Sequence, residues 1–367
     1  MKIDRRLLIN FNWIFLGVVL LIGVMGILNI YSSGHNLSVK GNPFYTKQMY
    51  WLLVGLVLMI IAFSVDYHTI IRYAYLIYMV SIGLLFLVLL YGDTAHGSQR
   101  WLVLWGFSFQ PSELMKLVLI IVLARYFSDN EEGGYHFGDI LILLVIVGLP
   151  FYMIACQPDL GTAMFLVILF LSMVVFAGIG WKLLVWGASA GMVLAPLCWF
   201  FLRDYQKERI RIFLDPERDP LGTGYHIIQS IIAVGSGKVW GKGFLKGTQT
   251  QLKFLPEQQT DFAFSVFAEE WGFAGALVLI FMFLILILLG LRIARDSRDL
   301  PGALLAFGVT MFVFWGISIN VGMVLGIFPV VGIPLPFFSY GGSSMVVLMV
   351  GVGLLLNVSM RRFILQH

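Results

Sequence analysis

Charge is what this chain has least of: Lys, Arg, Asp and Glu make up 12% of its 367 residues, against about 25% in an ordinary soluble domain. That scarcity excludes a solvated globular domain, whose surface needs those side chains. Cysteine is nearly absent too. The two present, Cys156 and Cys198, lie in or beside apolar runs and read as buried thiols, which excludes a disulfide framework. Six histidines are scattered along the chain with no Cys/His ligand spacing, so no zinc site is expected. The first apolar run is too long for a cleaved leader and no small-x-small site follows it, so it reads as a retained signal anchor.

What the chain has in abundance is apolar length, with 59% hydrophobic residues. A membrane span needs roughly 20 of them in succession. About ten runs qualify: 11–31, 47–65, 73–91, 109–127, 139–156, 160–178, 182–201, 262–290, 301–327 and 342–360. Lipid leaves backbone groups only helices or closed barrels, and these runs lack the alternation of barrel strands. The expectation is an all-α integral membrane protein of about ten transmembrane helices. It forms one polytopic domain over 1–367, with a large external loop, 202–260, between helices seven and eight.

An even number of spans puts both termini on one side. Lys2, Arg5 and Arg6 precede the first span, Arg292, Arg295 and Arg298 fill one loop, and Arg361 and Arg362 follow the last. The opposite short loops carry only Lys40, Lys47 and Arg100. The positive-inside rule therefore places both termini in the cytoplasm. The formal net charge is +4, much of it in the external loop, where it suits lipid headgroups or an anionic substrate; no nucleic-acid partner is implied.

That loop has three parts. Residues 203–214 mix basic and apolar positions at helical spacing and suggest an interfacial helix, whose Arg209 and Arg211 either grip phosphate or snorkel toward headgroups. A turn-rich DPERDPLGTGY follows. Then HIIQSIIAVGSGKVWGKGF runs apolar into glycine and lysine, too short to span and able to dip into the membrane and return. Its glycines fit neither the Walker A nor the dinucleotide pattern, because Ser236, Gly241 and Gly243 fall at the wrong places. A loose phosphate cradle with Lys238 or Lys242, or simply a flexible basic turn, remains.

Four polar clusters interrupt the apolar runs. Arg100-Trp101 precedes FQPSELMK (109–116), where Pro111 starts a helix and Glu113 and Lys116, three apart, share a face and can pair. CQPDLGTA (156–163) sets Asp159 in a tight turn, as a cap for the next helix or as a site acid. LPEQQTDFAFSVFAEEWG (255–272) carries Asp261, Glu269 and Glu270. Asp261 and Glu269 lie about 80° apart on an ideal helix and would look into one cavity, unless the helix begins after Asp261. PLPFFSYGGSSM (334–345) breaks its helix and supplies Ser339, Ser343 and Ser344. All four fall on the external side of their spans, and an acid at membrane depth is a functional hypothesis by default. The inventory suits an enzyme acting on a substrate with an apolar tail and an anionic head, with a carboxylate as general base and cations on the departing phosphate. It equally suits a transporter that carries protons on its acids.

Six motifs in order over almost the whole chain resemble the SEDS family (shape, elongation, division and sporulation proteins): FQPSELMK, QPDLGTA, DPLGTGYHIIQS, GSGKVWGKG, GTQTQLKFLPEQQTDFAFSVFAEEWG and LPFFSYGGSS. The uninterrupted GTQTQLKFLPEQQTDF looks more like the family's rod-elongation branch than its division branch. Lys238 departs from the glycine more usual in the Gly-rich turn. The resemblance implies a peptidoglycan glycosyltransferase that polymerises lipid II at the outer face of the cytoplasmic membrane by inverting transfer. It implies a class B penicillin-binding protein and other membrane proteins of the elongation complex as partners. It implies Asp261, Glu113 and Lys116 as catalytic residues and matches the family's QPD acid to Asp159; the residues themselves offer Arg100, Arg209, Arg211, Gln229, Lys242, Glu269 and Ser343, with Asp159, as substrate-binding candidates. A divalent cation, magnesium or manganese, is the one cofactor it leaves open, with no ligands assigned. The competing class is a lipid II flippase, which the clustering of polar groups on one face disfavours; a scaffold for the penicillin-binding partner would leave the buried charges unexplained.

Overall fold

The computed structural model describes residues 11–35, 43–95, 98–104, 107–130, 137–178, 189, 200, 204–219, 222–252 and 254–362. Its helices, in chain order, are α1 (Trp13–Gly34), α2 (Pro43–Ser64), the short α3 (Tyr67–Arg72), α4 (Ala74–Tyr91), α5 (Pro111–Asp129), α6 (Phe137–Cys156) and α7 (Leu160–Phe176). There follow α8 (Asp204–Leu214), α9 (Thr223–Ser236), the single turn α10 (Thr248–Gln251), α11 (Ala263–Arg295), α12 (Leu300–Val324) and α13 (Gly342–Arg361). Six of them (α1, α2, α4, α11, α12 and α13) are long and apolar enough to cross a bilayer, and two shorter apolar helices cover 141–156 and 160–176. The expected all-α membrane architecture is the observed one. The expected seventh span, 182–201, lies outside the described residues apart from 189 and 200.

Burial follows the solvent each face meets. Leu53, Val57, Ile60 and Ile61 on α2, and Leu277, Phe281, Leu284 and Leu288 on α11, recur at helical spacing and stay exposed, as a lipid-facing stripe should. The inverse holds for α5, which carries Glu113, Lys116, Arg125 and Asp129 yet is buried along most of its length. It packs against α4, α7, α12 and α13. Glu113 and Lys116 are tolerated because protein, not lipid, surrounds them, while Arg125 and Asp129 pair at 2.7 Å at the part-exposed end of the helix.

Polar side chains collect at the two ends of the bundle. At one end Arg361 meets Asp66 at 3.0 Å, Arg362 meets Asp296 at 3.1 Å, and His68 reaches Asp299 at 2.7 Å. These residues belong to the loops and tails expected on the cytoplasmic side. The other end holds the candidate residues and a feature the apolar pattern did not announce, a three-stranded antiparallel sheet of β1 (Asp93–Ala95), β2 (Ser98–Leu104) and β3 (Phe107–Phe109). Pairing of Leu102 with Phe109 delivers the chain to Pro111, where proline's missing N–H costs nothing at the first turn of α5.

The Gly/Lys turn after α9 finds its purpose at a break in α11. Gly272 leaves helical geometry there (φ 67°, ψ −167°). The hydrogen bonds lost by the helix are replaced by the turn. The amides of Lys242 and Gly243 donate to the carbonyls of Glu269 and Glu270 at 3.0 and 2.9 Å. Those of Phe273 and Ala274 donate to the carbonyls of Lys238 and Val239 at 2.8 and 3.0 Å. Only glycine allows this approach, since a Cβ on Gly272 would lie 2.2 Å from the Gly241 nitrogen and one on Gly241 2.1 Å from the Glu270 oxygen. The amides of Lys242 and Gly243 are therefore spent on the helix and are not free to cradle phosphate. We expect Gly272→Ala to cost about 3 kcal/mol or more, read as a fall in Tm of the detergent-purified protein. Gly83→Ala, in α4 where an added Cβ meets nothing within 4 Å, should leave Tm unchanged.

Candidate functional site

The acid in the loop before α11 is set by how that helix begins. Helical geometry starts at Ala263, so Asp261 stands ahead of it, half-buried, and does not share a helical face with Glu269. The alternative in which both look into one cavity is thereby corrected. Burial raises the Asp261 carboxyl to about 6; the negative charges of Glu257 and Asp159 push the same way, and Arg100 and Arg209 pull it down. Arg100, Asp159, Arg209 and Asp261 are thus one electrostatic group, drawn from β2, the α6–α7 turn, α8 and the loop before α11.

Arg100 and Asp159 are in direct register. The guanidinium Nη2 donates to the Pro158 carbonyl at 2.8 Å, and Nε lies 3.6 Å from Asp159 Oδ2. Asp159 also caps α7, accepting from Thr162 N at 3.2 Å and from its hydroxyl at 2.9 Å. The capping reading of this acid holds, and capping leaves it beside Arg100 as well. Gln110 completes the corner: its side-chain amide reaches Ser112 Oγ at 3.1 Å and Asp159 Oδ2 at 3.5 Å. Ser343, at the start of α13, accepts from the Gln110 amide at 3.0 Å and so joins β3 to α13.

The remaining candidates stand elsewhere. Glu113 and Lys116 pair at 2.6 Å with exposures of 4% and 2%, and the Lys116 ammonium lies over the rings of Phe165 and Phe312 at 4.9 and 5.2 Å. The second carboxylate oxygen of Glu113 has no hydrogen-bond partner among the described residues. Glu269 is enclosed by its own protein: Lys242 at 2.7 Å, Gln249 N at 2.9 Å, Thr250 Oγ1 at 3.0 Å and Thr250 N at 3.2 Å. Lys242 spends another bond on Thr248 at 2.6 Å. These two residues are brought to each other and to α10. Glu270 meets Ser32 of α1 instead. Arg211 is exposed and reaches Glu208 at 3.5 Å, while Gln229 is half-buried on α9.

Sequence reasoning passed over Gln110, Glu257, His226 and Asn320. Gln110 lay within a quoted motif, but its neutral amide gave no charge to notice. His226, beside Phe262 on α9, is depressed by burial, with Glu257 and Asp219 opposing. Two cavities, of about 440 and 500 Å³, open among arginines at the opposite end of the bundle and touch none of the candidate residues. A third, of about 530 Å³, is lined by the turn from Ser236 to Lys242. The chemistry follows the acids rather than these hollows. Among the described residues no group of three or more His, Cys, Asp and Glu side chains is arranged to hold a metal.

A bundle of membrane-crossing helices with a partly covered acid and two arginines at one end defines a polytopic membrane protein with a polar candidate site at that end. Residues 12–363 match the FtsW/RodA/SpoVE family of cell cycle proteins, and the chain belongs to that family, the SEDS proteins. It is 42% identical over 318 residues to the peptidoglycan glycosyltransferase MrdB of Escherichia coli K12, covering 86% of this chain and 85% of the relative. Its fold matches a chain in a structure of a peptidoglycan synthase complex described as coordinating polymerization and crosslinking, with a TM-score of 0.83 at 30% identity over 96% of this chain and 98% of the other. The rod shape determining protein RodA of Thermus thermophilus matches with a TM-score of 0.72 at 27% identity, over the same shares.

The Glu113–Lys116 pair gives a direct test. Removing one partner of a buried pair costs about 3–5 kcal/mol, because the other charge is stranded, whereas replacing both with apolar groups is near neutral. We expect Lys116→Met to lower Tm sharply and Glu113→Leu/Lys116→Met to recover most of the loss. A double variant no more stable than the single one would show that the pair is not what makes these charges tolerable.

Proposed function

We propose that this chain polymerises lipid II into glycan strands at the outer face of the cytoplasmic membrane, with Asp261 as general base. The chain is an enzyme, a peptidoglycan glycosyltransferase, as its family membership and relatives indicate. The observation that carries the reading is Asp261 itself, a half-buried carboxyl near neutrality, coupled to two arginines at the end of the bundle opposite the arginine-rich tails. A base whose pKa lies near the working pH is deprotonated often enough to accept a proton and basic enough to pull it.

The Asp261 carboxylate takes the proton from the 4-hydroxyl of the acceptor GlcNAc. The oxygen attacks the anomeric carbon of the donor sugar from the face opposite its α-linked pyrophosphate. That carbon–oxygen bond breaks, and undecaprenyl pyrophosphate leaves with the electron pair. The result is a β-linked product, with no sugar–enzyme intermediate. Arg100 and Arg209 offset charge on the departing group; Asp159 and the Pro158 carbonyl hold Arg100, and Gln110 reaches Asp159. Lys116 and Lys242, committed to Glu113 and Glu269, support the site from behind. No described residues group to hold a divalent cation; one carried by the pyrophosphate itself would supply Lewis-acid relief of its charge.

Both termini are cytoplasmic in this reading, and the Asp261 end faces outward. The partner is a class B penicillin-binding protein that crosslinks the strands within a larger elongation complex. Support comes from the similar chain solved in a synthase complex that couples polymerization to crosslinking.

Purified protein given labelled lipid II, with and without its penicillin-binding partner, should give glycan ladders, and Asp261→Asn none. Lipid II crossing liposomes without polymerisation would replace the enzyme by a flippase. The sign of the pH effect follows from the raised carboxyl. Activity should be full above about pH 7 and fall as pH drops through about 6, where Asp261 takes up a proton. Arg100→Gln should move that limb to higher pH and Glu257→Gln to lower pH. Folding favours the protonated acid, so this group stabilises most below its ordinary value of 3.8 and least above about 6. Asp261→Asn should therefore keep or raise Tm at pH 7.5 while cutting activity to a small residual rate.

A further inference from the structure

The carbonyl of Asp261 is left outside the helix that follows it. The first amides of α11, those of Ser265 and Val266, turn back to the Phe262 carbonyl at 3.0 and 3.4 Å. A covered main-chain acceptor without a donor costs about as much as a lost hydrogen bond. The donor comes from α12, on the other side of the site. Asn320 Nδ2 donates to the Asp261 carbonyl at 2.9 Å and to the Ile333 carbonyl at 2.8 Å. Asn320 is wholly buried, and its Oδ1 has no hydrogen-bond partner among the described residues. Its amide orientation is fixed all the same, because a flipped oxygen would face two carbonyls.

Both carbonyls matter to the acid. Ile333 belongs to the irregular segment between α12 and α13, whose Gly332 faces the carboxylate: a Cβ there would lie 3.6 Å from Asp261 Oδ2. One amide group therefore ties the acid's main chain to the wall that its side chain faces. Further bonds hold the same loop on either side. Asn29 of α1 donates to the Ala263 carbonyl at 2.9 Å, Gln258 donates to the Ser33 carbonyl at 2.7 Å, and the Tyr340 amide donates to the Gln259 carbonyl at 2.8 Å. Of these hydrogen bonds, the one from Asn320 is the one that reaches Asp261 itself.

We propose that Asn320 is a positioning residue for Asp261, fixing the height of the carboxylate in the site and its distance from the Gly332 wall. The inference rests on the reading of Asp261 as the base. Proton transfer needs the base within hydrogen-bond reach of the hydroxyl, and a misplacement of about 1 Å costs roughly 100-fold in rate. Asn320 adds no group that touches substrate. Its effect belongs in kcat and in the pH profile of Asp261.

The test compares Asn320→Asp, which turns the donor into an acceptor facing two carbonyls, with Asn320→Ser, which keeps one donor. Each is made in the full-length protein, alone and with Asp261→Asn, and assayed with its partner on labelled lipid II. Activity is normalised to the folded fraction from size exclusion. We expect kcat to fall roughly 100-fold for Asn320→Asp and about 10-fold for Asn320→Ser, with KM for lipid II within about twofold. The acid limb should shift away from about 6, where burial with Glu257, Asp159, Arg100 and Arg209 sets it. On the Asp261→Asn background neither change should reduce the residual rate further. Unchanged kcat per folded molecule, with only Tm lowered, would overturn the proposal. So would an equal fold-loss with and without Asp261. Wild-type activity in Asp261→Asn alone would instead remove the general base, a result the Asn320 single variants cannot mimic.

Discussion

A carboxyl group enclosed by apolar protein persists only beside groups that match it, and the end of this bundle that holds the candidate site is arranged around that requirement. Glu113 has Lys116, Glu269 has Lys242 and the α10 amides, and Asp159 has Arg100 and the amide of Thr162. Asp261 differs from them. Its charge is influenced by arginines on two other elements, yet burial still holds its carboxyl above the ordinary range. The matched acids fix elements in place, and the less well matched one is the acid proposed above as the base. That division separates scaffold from chemistry more clearly than proximity does.

The backbone obeys the same constraint. Where α11 breaks at Gly272, the turn after α9 supplies the missing bonds, and where the chain turns into α11, Asn320 supplies the one that the helix cannot. Irregular backbone at membrane depth is tolerated when protein covers it. Here the cover is specific, because each covering residue also sets a site element. The Gly/Lys turn aligns the helix that follows Asp261, and the α12–α13 segment provides the wall beside it. Structural bonds and site geometry are therefore difficult to alter independently.

Much of this was legible in the chain. Apolar runs of span length located most of the helices, since lipid leaves few alternatives for a backbone. Pro111 marked the start of α5, and the spacing of Glu113 and Lys116 gave their pairing, because residues three apart on a helix are neighbours. Asp159 at the head of α7 read as a cap and is one. The small sheet around Arg100 was not legible, as strands of a few residues leave too short an alternation to register. The eight-residue interval from Asp261 to Glu269 misled in one of its two readings, because helical angles apply only once the helix has begun.

The sequence by itself determined the class of architecture, the family, the side of the bundle on which polar groups gather, and the acids worth considering. These follow from composition, local spacing and motif order, all of which act along the chain. Tertiary structure alone decided which charge meets which. Lys242 and Glu269, 27 residues apart, are joined only when the loop folds back. Asn320 had no signal at all, since a neutral amide becomes informative only when its partners, 59 and 13 residues away, are brought to it. Electrostatic and hydrogen-bond roles depend on distance in space, and distance in space is set by packing among helices whose sequences carry no record of one another.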